Sequence, residues 1–218
     1  MRKVSQTVFE PRRLPVQARS AASVEAILEA TVQVLLQMGK ERLTTTHVAA
    51  RAGVSVGTLY QYFPNKSALL QAALKRHLLQ VAEAVERVCR EQEGNSLRTM
   101  VTALVTAFLQ AKLKDIKASM AMYAVSSDVD GTKIVQQMSL RINKAVVRLL
   151  TSSSEPIAGD PQLVASVLQG MLAGVSRRVL ESGIPSARIA ESGQELIYAA
   201  CAYIEDCRIR AFKRDVPA

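Results

Sequence analysis

The stretch TTTHVAARAGVSVGTLYQYF, residues 44–63, decides how this sequence reads. Thr44 is placed to cap a short helix whose apolar face is Val48, Ala49 and Ala52, because its hydroxyl can accept from one of the first unpaired backbone N–H groups. Gly53 follows, a residue that takes a positive φ without strain and so lets the chain turn sharply. Val54 fills the gap between the two segments, and Ser55 caps the second. There Leu59 and Phe63, four residues apart, point inward and leave Val56, Gly57, Thr58, Tyr60, Gln61 and Tyr62 outside. Two short helices joined by a glycine turn predict a helix-turn-helix whose second helix has the length and polarity to enter a major groove. The aromatic residues agree: the chain has five Tyr, four Phe and no Trp, yet Tyr60, Tyr62 and Phe63 are nearly consecutive. Successive helical positions cannot all face one core, so at least one tyrosine hydroxyl is presented outward, where it can reach a phosphate.

Outward from this motif almost every long segment has helical period. On its N-terminal side Ser20–Met38 carries Ile27, Ala30, Val34, Leu35 and Met38 on one face and stops at Gly39. On the other side Pro64–Asn65 ends the motif, and Lys66–Glu91 is a long helix with Leu70, Leu74, Val81, Val85 and Val88 in a stripe. Gly94–Asn95 breaks it. Further helices are predicted over Ser96–Asp115, Ile116–Ser126, Thr132–Leu150, Pro161–Glu181 and Ser186–Lys213. They are divided by the turn Asp128–Gly131, the polar loop Ser152–Asp160 and the break Ser182–Pro185. No strand alternation and no internal repeat is visible. The fold class is all-α with about nine helices. Residues 1–19 read as a basic flexible arm, 20–66 as the helix-turn-helix head, and 67–218 as a helical body.

Composition narrows the class of partner. At 49% hydrophobic and 22% charged, the 218 residues are too apolar to be disordered, and ten Gly with seven Pro exclude collagen-like or low-complexity architecture. No uninterrupted apolar run approaches the roughly 18 residues of a membrane helix; the best is Leu196–Ile204. Met1–Ser20 is basic but has no apolar signal region, and three cysteines are too few and odd for a disulfide framework, so the expected compartment is the cytoplasm. The net charge of +9 is unevenly spread: residues 1–77 hold 11 Lys/Arg against 4 Asp/Glu, and the remainder 17 against 15. Arg2, Lys3, Arg12, Arg13 and Arg19 precede the first amphipathic helix in a stretch broken by Pro11 and Pro15. Such an arm favours nucleic acid over a membrane surface, which would need its cations on one face of an amphipathic helix.

RAGVSVGTLYQYFPNKSALL, residues 51–70, resembles the DNA-binding segment of the tetracycline-repressor (TetR-like) family of bacterial transcriptional regulators. The preceding amphipathic helix ending at Gly39, then Thr44, also matches, so the resemblance spans roughly residues 20–70. It implies a homodimer that sets one motif helix from each subunit into a palindromic double-stranded operator, and an effector in the body that alters the spacing of the heads. By the same resemblance Thr44 and Thr45 are phosphate contacts, and Thr58, Tyr60 and Tyr62 reach phosphate or sugar. Val56, Gly57 and Gln61 face the groove, Ser55 beside them is counted with the DNA-binding residues, and Lys66 binds backbone. Val56 departs from the lysine often found at its position, which leaves fewer polar groups for base readout. Gln61 can pair bidentately with adenine and Val56 can meet a thymine methyl.

Two faces of the body attract attention. Val164, Val167, Met171 and Val175, with Gly170 and Gly174 among them, and Ile197, Ala200, Cys201 and Ile204 are candidates for a two-fold dimer seam built as a four-helix bundle. Met100, Phe108, Met120, Tyr123 and Met138 would give a deformable lining for a small apolar or amphipathic effector. His47 and His77 have no Cys or Asp cluster at metal-ligand spacing. No catalytic constellation or phosphate loop can be assembled, so neither enzyme activity nor a cofactor is expected. Two readings stay open: a repressor released by a small molecule, or a DNA-binding adaptor of the same fold with no effector.

Overall fold

The computed structural model describes residues 16–126, 131–182 and 186–214. The predicted turn at 128–130, the glycine–proline break at 183–185 and the arm up to residue 15 lie outside the described residues. Those residues form nine α-helices and no strand. They are α1 (Val16–Arg42), α2 (Thr45–Ala52), α3 (Val56–Tyr62), α4 (Lys66–Glu91), α5 (Leu97–Leu113), α6 (Ile116–Ser126), α7 (Gly131–Thr151), α8 (Pro161–Glu181) and α9 (Ser186–Arg214). The helix α1 begins at Val16, ahead of the predicted start at Ser20.

The chain divides into two compact units at Leu69/Leu70, so α4 begins in the first and continues through the second. In the first unit Ile27, Leu43, Val48, Leu59 and Leu69 are wholly buried, each contributing roughly 1.5–3 kcal/mol by leaving water. Thr31 is buried among them because its hydroxyl donates to the Ile27 carbonyl at 2.7 Å, which satisfies it within its own helix. Gly39 interrupts α1 with φ 77° and ψ 167°, at the position where the sequence predicts the stop.

In the second unit α5 is the axis. Leu97, Met100, Val101, Leu104, Val105 and Phe108 are buried on it, and α7, α8 and α9 pack around it. Their inward residues include Val146 and Leu149 on α7, Leu168 and Leu172 on α8, and Ala200 and Ile204 on α9. The polar loop between α7 and α8 ties this unit together. Glu155 accepts from the Leu97 N–H at 2.6 Å, Ser152 Oγ accepts from the Gly94 N–H at 3.1 Å, and the Ala158 N–H donates to the Cys207 carbonyl at 2.9 Å. An otherwise unpaired donor at the start of α5 is satisfied by a carboxylate, which also suits the positive end of the helix dipole.

Two described helices are apolar on average although neither is an uninterrupted apolar run. Ser20–Arg42 and Pro161–Glu181 are long and apolar enough to cross a membrane by length and composition alone. Ile27 and Val34 on the first and Leu168 and Leu172 on the second instead fill the two cores, the part that core helices of this composition play.

Candidate nucleic-acid interface and internal cavity

The helix-turn-helix is held by local rules. Thr44 has extended dihedrals, and its hydroxyl accepts from the His47 N–H at 3.2 Å. Gly53 has φ 68° and ψ 29°, the left-handed conformation that costs an L-residue roughly 1–2 kcal/mol, and its N–H closes α2. Ser55 caps α3 by accepting from the Thr58 N–H at 2.9 Å, and its hydroxyl also meets Thr58 Oγ1 at 2.8 Å. Leu59 is fully buried and Phe63 nearly so, and this phase turns Val56, Gly57, Tyr60 and Gln61 outward. Tyr60 is 47% exposed and its hydroxyl lies 3.1 Å from Thr45 Oγ1, which joins the two motif helices on their outer side. Tyr62 is half-buried. The Lys66 ammonium donates to the Lys40 carbonyl at 2.8 Å, at the end of α1. Arg51 Nε donates to Gln33 Oε1 at 2.7 Å, fixing α2 on α1.

Within the body, α4 to α8 enclose a cavity of about 360 Å³, in the range of small-molecule sites. Its apolar wall comes from Leu74, Leu78 and Val81 on α4, Phe108 on α5, Met122 on α6, and Met138 and Ile142 on α7. Its polar groups are more unusual. Lys112 is only 6% exposed, and its ammonium sits 4.6 Å from the centre of the Tyr123 ring. The Arg177 guanidinium lies 5.9 Å from the same ring centre. Ser119 spends its single proton on the Lys112 carbonyl at 2.7 Å, so the 3.2 Å contact with His77 Nε2 makes the imidazole the donor. Burial, then the charge of Lys112, push the His77 pKa down to about 4, and the ring is neutral at neutral pH. Gln169 is anchored by donating to the Ser139 carbonyl at 3.0 Å. A second cavity, lined by Met120, Leu180 and Glu181, shares Tyr123, Ser126 and Arg177 with the first.

Both parts of the chain match known proteins. Residues 27–73 match the family described as bacterial regulatory proteins, tetR family, and residues 96–203 match the tetracyclin repressor-like C-terminal domain. The HTH-type transcriptional repressor KstR of Mycobacterium tuberculosis is 30% identical over 158 residues, covering 70% of this chain and 70% of that protein. The chain belongs to the TetR family. Among solved structures, a TetR-family regulator from Mesorhizobium loti superposes with a TM-score of 0.72 at 20% identity, over 86% of this chain and 97% of that one. A TetR-like regulator from Rhodococcus sp. RHA1 gives 0.60 at 27% identity, over 87% and 99%. TetR-family proteins are DNA-binding transcriptional regulators and not enzymes, and this chain is one of them.

For this TetR-family chain, the structure sorts the body residues singled out in the sequence. Phe108, Tyr123 and Met138 line the larger cavity. Met100 does not: it is fully buried in the core, two turns before Phe108 on α5. Met120 is 43% exposed, on the outer side of α6, and borders only the second cavity. Of the seam candidates, Val164, Ala200, Cys201 and Ile204 are corrected, since each is at most 4% exposed within the monomer core. Val167 is 37% exposed, and Met171, Val175 and Ile197 are half-buried at the edge of that core. The reason is helical phase: Val164, Leu168 and Leu172 face inward, so the stripe Leu163, Val167, Gly170 and Gly174 faces out. On α9 the outward stripe is Tyr198, Ala202 and Ile209. Lys112, Ser119, Gln169 and Arg177 were missed in the sequence because each looks like an ordinary surface residue until four helices converge on it.

Proposed function

We propose that this protein is a cytoplasmic homodimeric repressor that leaves a palindromic operator when a small molecule fills the α4–α8 cavity. What carries the reading is the outer side of the motif. Val56, Gly57, Tyr60 and Gln61 are exposed around a fully buried Leu59, on a helix capped at its start by Ser55. Val56, Gly57 and Gln61 meet base edges; Thr44, Thr45, Thr58, Tyr60 and Tyr62 fix the register on phosphate and sugar. The sign of regulation follows the relatives named repressors. Dimerisation uses the exposed stripes of α8 and α9, where Gly170 has nothing within 4 Å of a built Cβ and so lets a second copy approach closely. The adaptor alternative called for a sealed body, and the cavity weighs against it.

The test is binding of the purified protein, at near-physiological salt, to the DNA flanking its own gene against a scrambled duplex of equal length. A preference of about 10³-fold or more with two subunits per duplex supports the reading. Equal affinity for both duplexes, with every flanking fragment tried, refutes a local operator.

A further inference from the structure

The cavity is amphipathic in a one-sided way. Its wall is mostly aliphatic and aromatic, three cationic or potentially cationic side chains reach it (His77, Lys112 and Arg177), and no Asp or Glu lines it among the described residues. Lys112 is the decisive group. It is buried, its ammonium contacts the face of Tyr123, and no carboxylate among the described residues lies within ion-pair distance of it. Asp115, the nearest acid in sequence, instead accepts from the Ala118 N–H at 2.9 Å and caps α6. A buried cation held only by a ring face is under-compensated, because a cation–π contact replaces a small part of the hydration it has lost. Arg177, whose guanidinium approaches the same ring, forms a 2.7 Å ion pair with Glu181 and is exposed, so it marks the outer side of the site.

We infer that the cavity takes a carboxylate with an apolar body, its anionic head on Lys112 beside Tyr123 and its body along Leu78, Phe108, Met122 and Ile142. This rests on the cavity being the effector site and adds the chemical class of the effector. A cationic ligand would meet Lys112 and Arg177 at close range and is excluded by their charge; a neutral one fills the apolar wall but leaves the ammonium as it was. The neutral His77, already donating to Ser119, leaves Lys112 as the strongest donor for an oxygen anion.

The test is calorimetric titration of the full chain with decanoate, decanol and decylamine, and with 2-naphthoate against 2-naphthol. Wild type is expected to bind one or both acids at least about tenfold more tightly than the matching alcohol, a difference of about 1.4 kcal/mol. The pair that shows it tells straight-chain from ring acids. Lys112→Met is expected to lose the preference while still binding the alcohol, which shows that its cavity is intact. Acid and alcohol binding equally in both pairs overturns the inference and leaves the effector site standing, as does a preference that survives in Lys112→Met. Decylamine binding as well as decanoate overturns it too. Failure of all five probes to bind wild type removes the cavity as an effector site, and the inference goes with it.

Discussion

Lowering the pH through the histidine range tests the buried site directly. In the unfolded chain the imidazole of His77 titrates near its ordinary 6.5; in the fold, burial, Lys112 and Arg76 oppose the proton, Asp115 only partly offsets them, and the pKa is about 4. Between those values the unfolded chain binds a proton that the native chain does not, so native stability falls as pH drops through the window and levels off below its lower end. From about pH 7.5 to about pH 5 the linkage amounts to about 2 kcal/mol, nearly all of it from the unfolded state. The assay is urea unfolding of wild type and His77→Gln across that range, because other groups titrate alike in both and cancel in the difference. Gln keeps an N–H near Ser119 Oγ and has no titration of its own. Wild type is expected to lose about 2 kcal/mol relative to the variant, a large share of an ordinary domain's stability. Parallel profiles would refute the burial of His77 and, with it, the assignment of its Nε2 as donor to Ser119.

Three further outcomes follow from the exposed surfaces. Gly57→Ala meets only Ser55 Oγ at 3.7 Å, so the fold is expected to gain about 0.5–1 kcal/mol of helix stability while operator affinity falls; unchanged affinity would show that α3 does not approach DNA closely. Tyr60→Ala is expected to abolish specific operator binding in a gel-shift assay without altering the sedimentation coefficient, and retained affinity would refute the contact. Leu163→Arg combined with Val167→Arg places charge on residues 62% and 37% exposed, so helix content should hold while sedimentation shows monomers; a persistent dimer would move the interface elsewhere.

What the sequence made legible was whatever depends on neighbours in the chain. The caps at Thr44 and Ser55, the turn at Gly53 and the inward pair Leu59 and Phe63 follow from hydrogen bonds and phase within a few residues, and each is where the sequence places it. The bounds of α4, α6 and α8 were legible for the same reason, since glycine, proline and polar residues punctuate them. Which side of α8 or α9 stays exposed was not. Both helices carry apolar residues over more than half their circumference, and only the packing of α5 against them separates Leu168 and Leu172 from Leu163 and Val167. Lys112 was hidden more thoroughly: in the sequence it is one of three lysines or arginines near the end of α5 and the start of α6, and nothing local distinguishes a buried ammonium from a solvated one.

The magnitudes fit together on the proposed reading. A 100-fold loss of operator affinity requires only about 2.7 kcal/mol of coupling between the two sites. A hydrogen bond to a charged group contributes about 1.5–3 kcal/mol, so one carboxylate contact on Lys112, made more strongly in the form that does not fit DNA, is of the right size by itself. The apolar wall adds affinity without adding coupling wherever it is the same in both forms, since a ligand shifts an equilibrium only by its differential affinity. Lys112→Met therefore separates two quantities that a simple binding assay merges. It should leave a carboxylate bound in the cavity through its apolar body yet no longer able to release the operator.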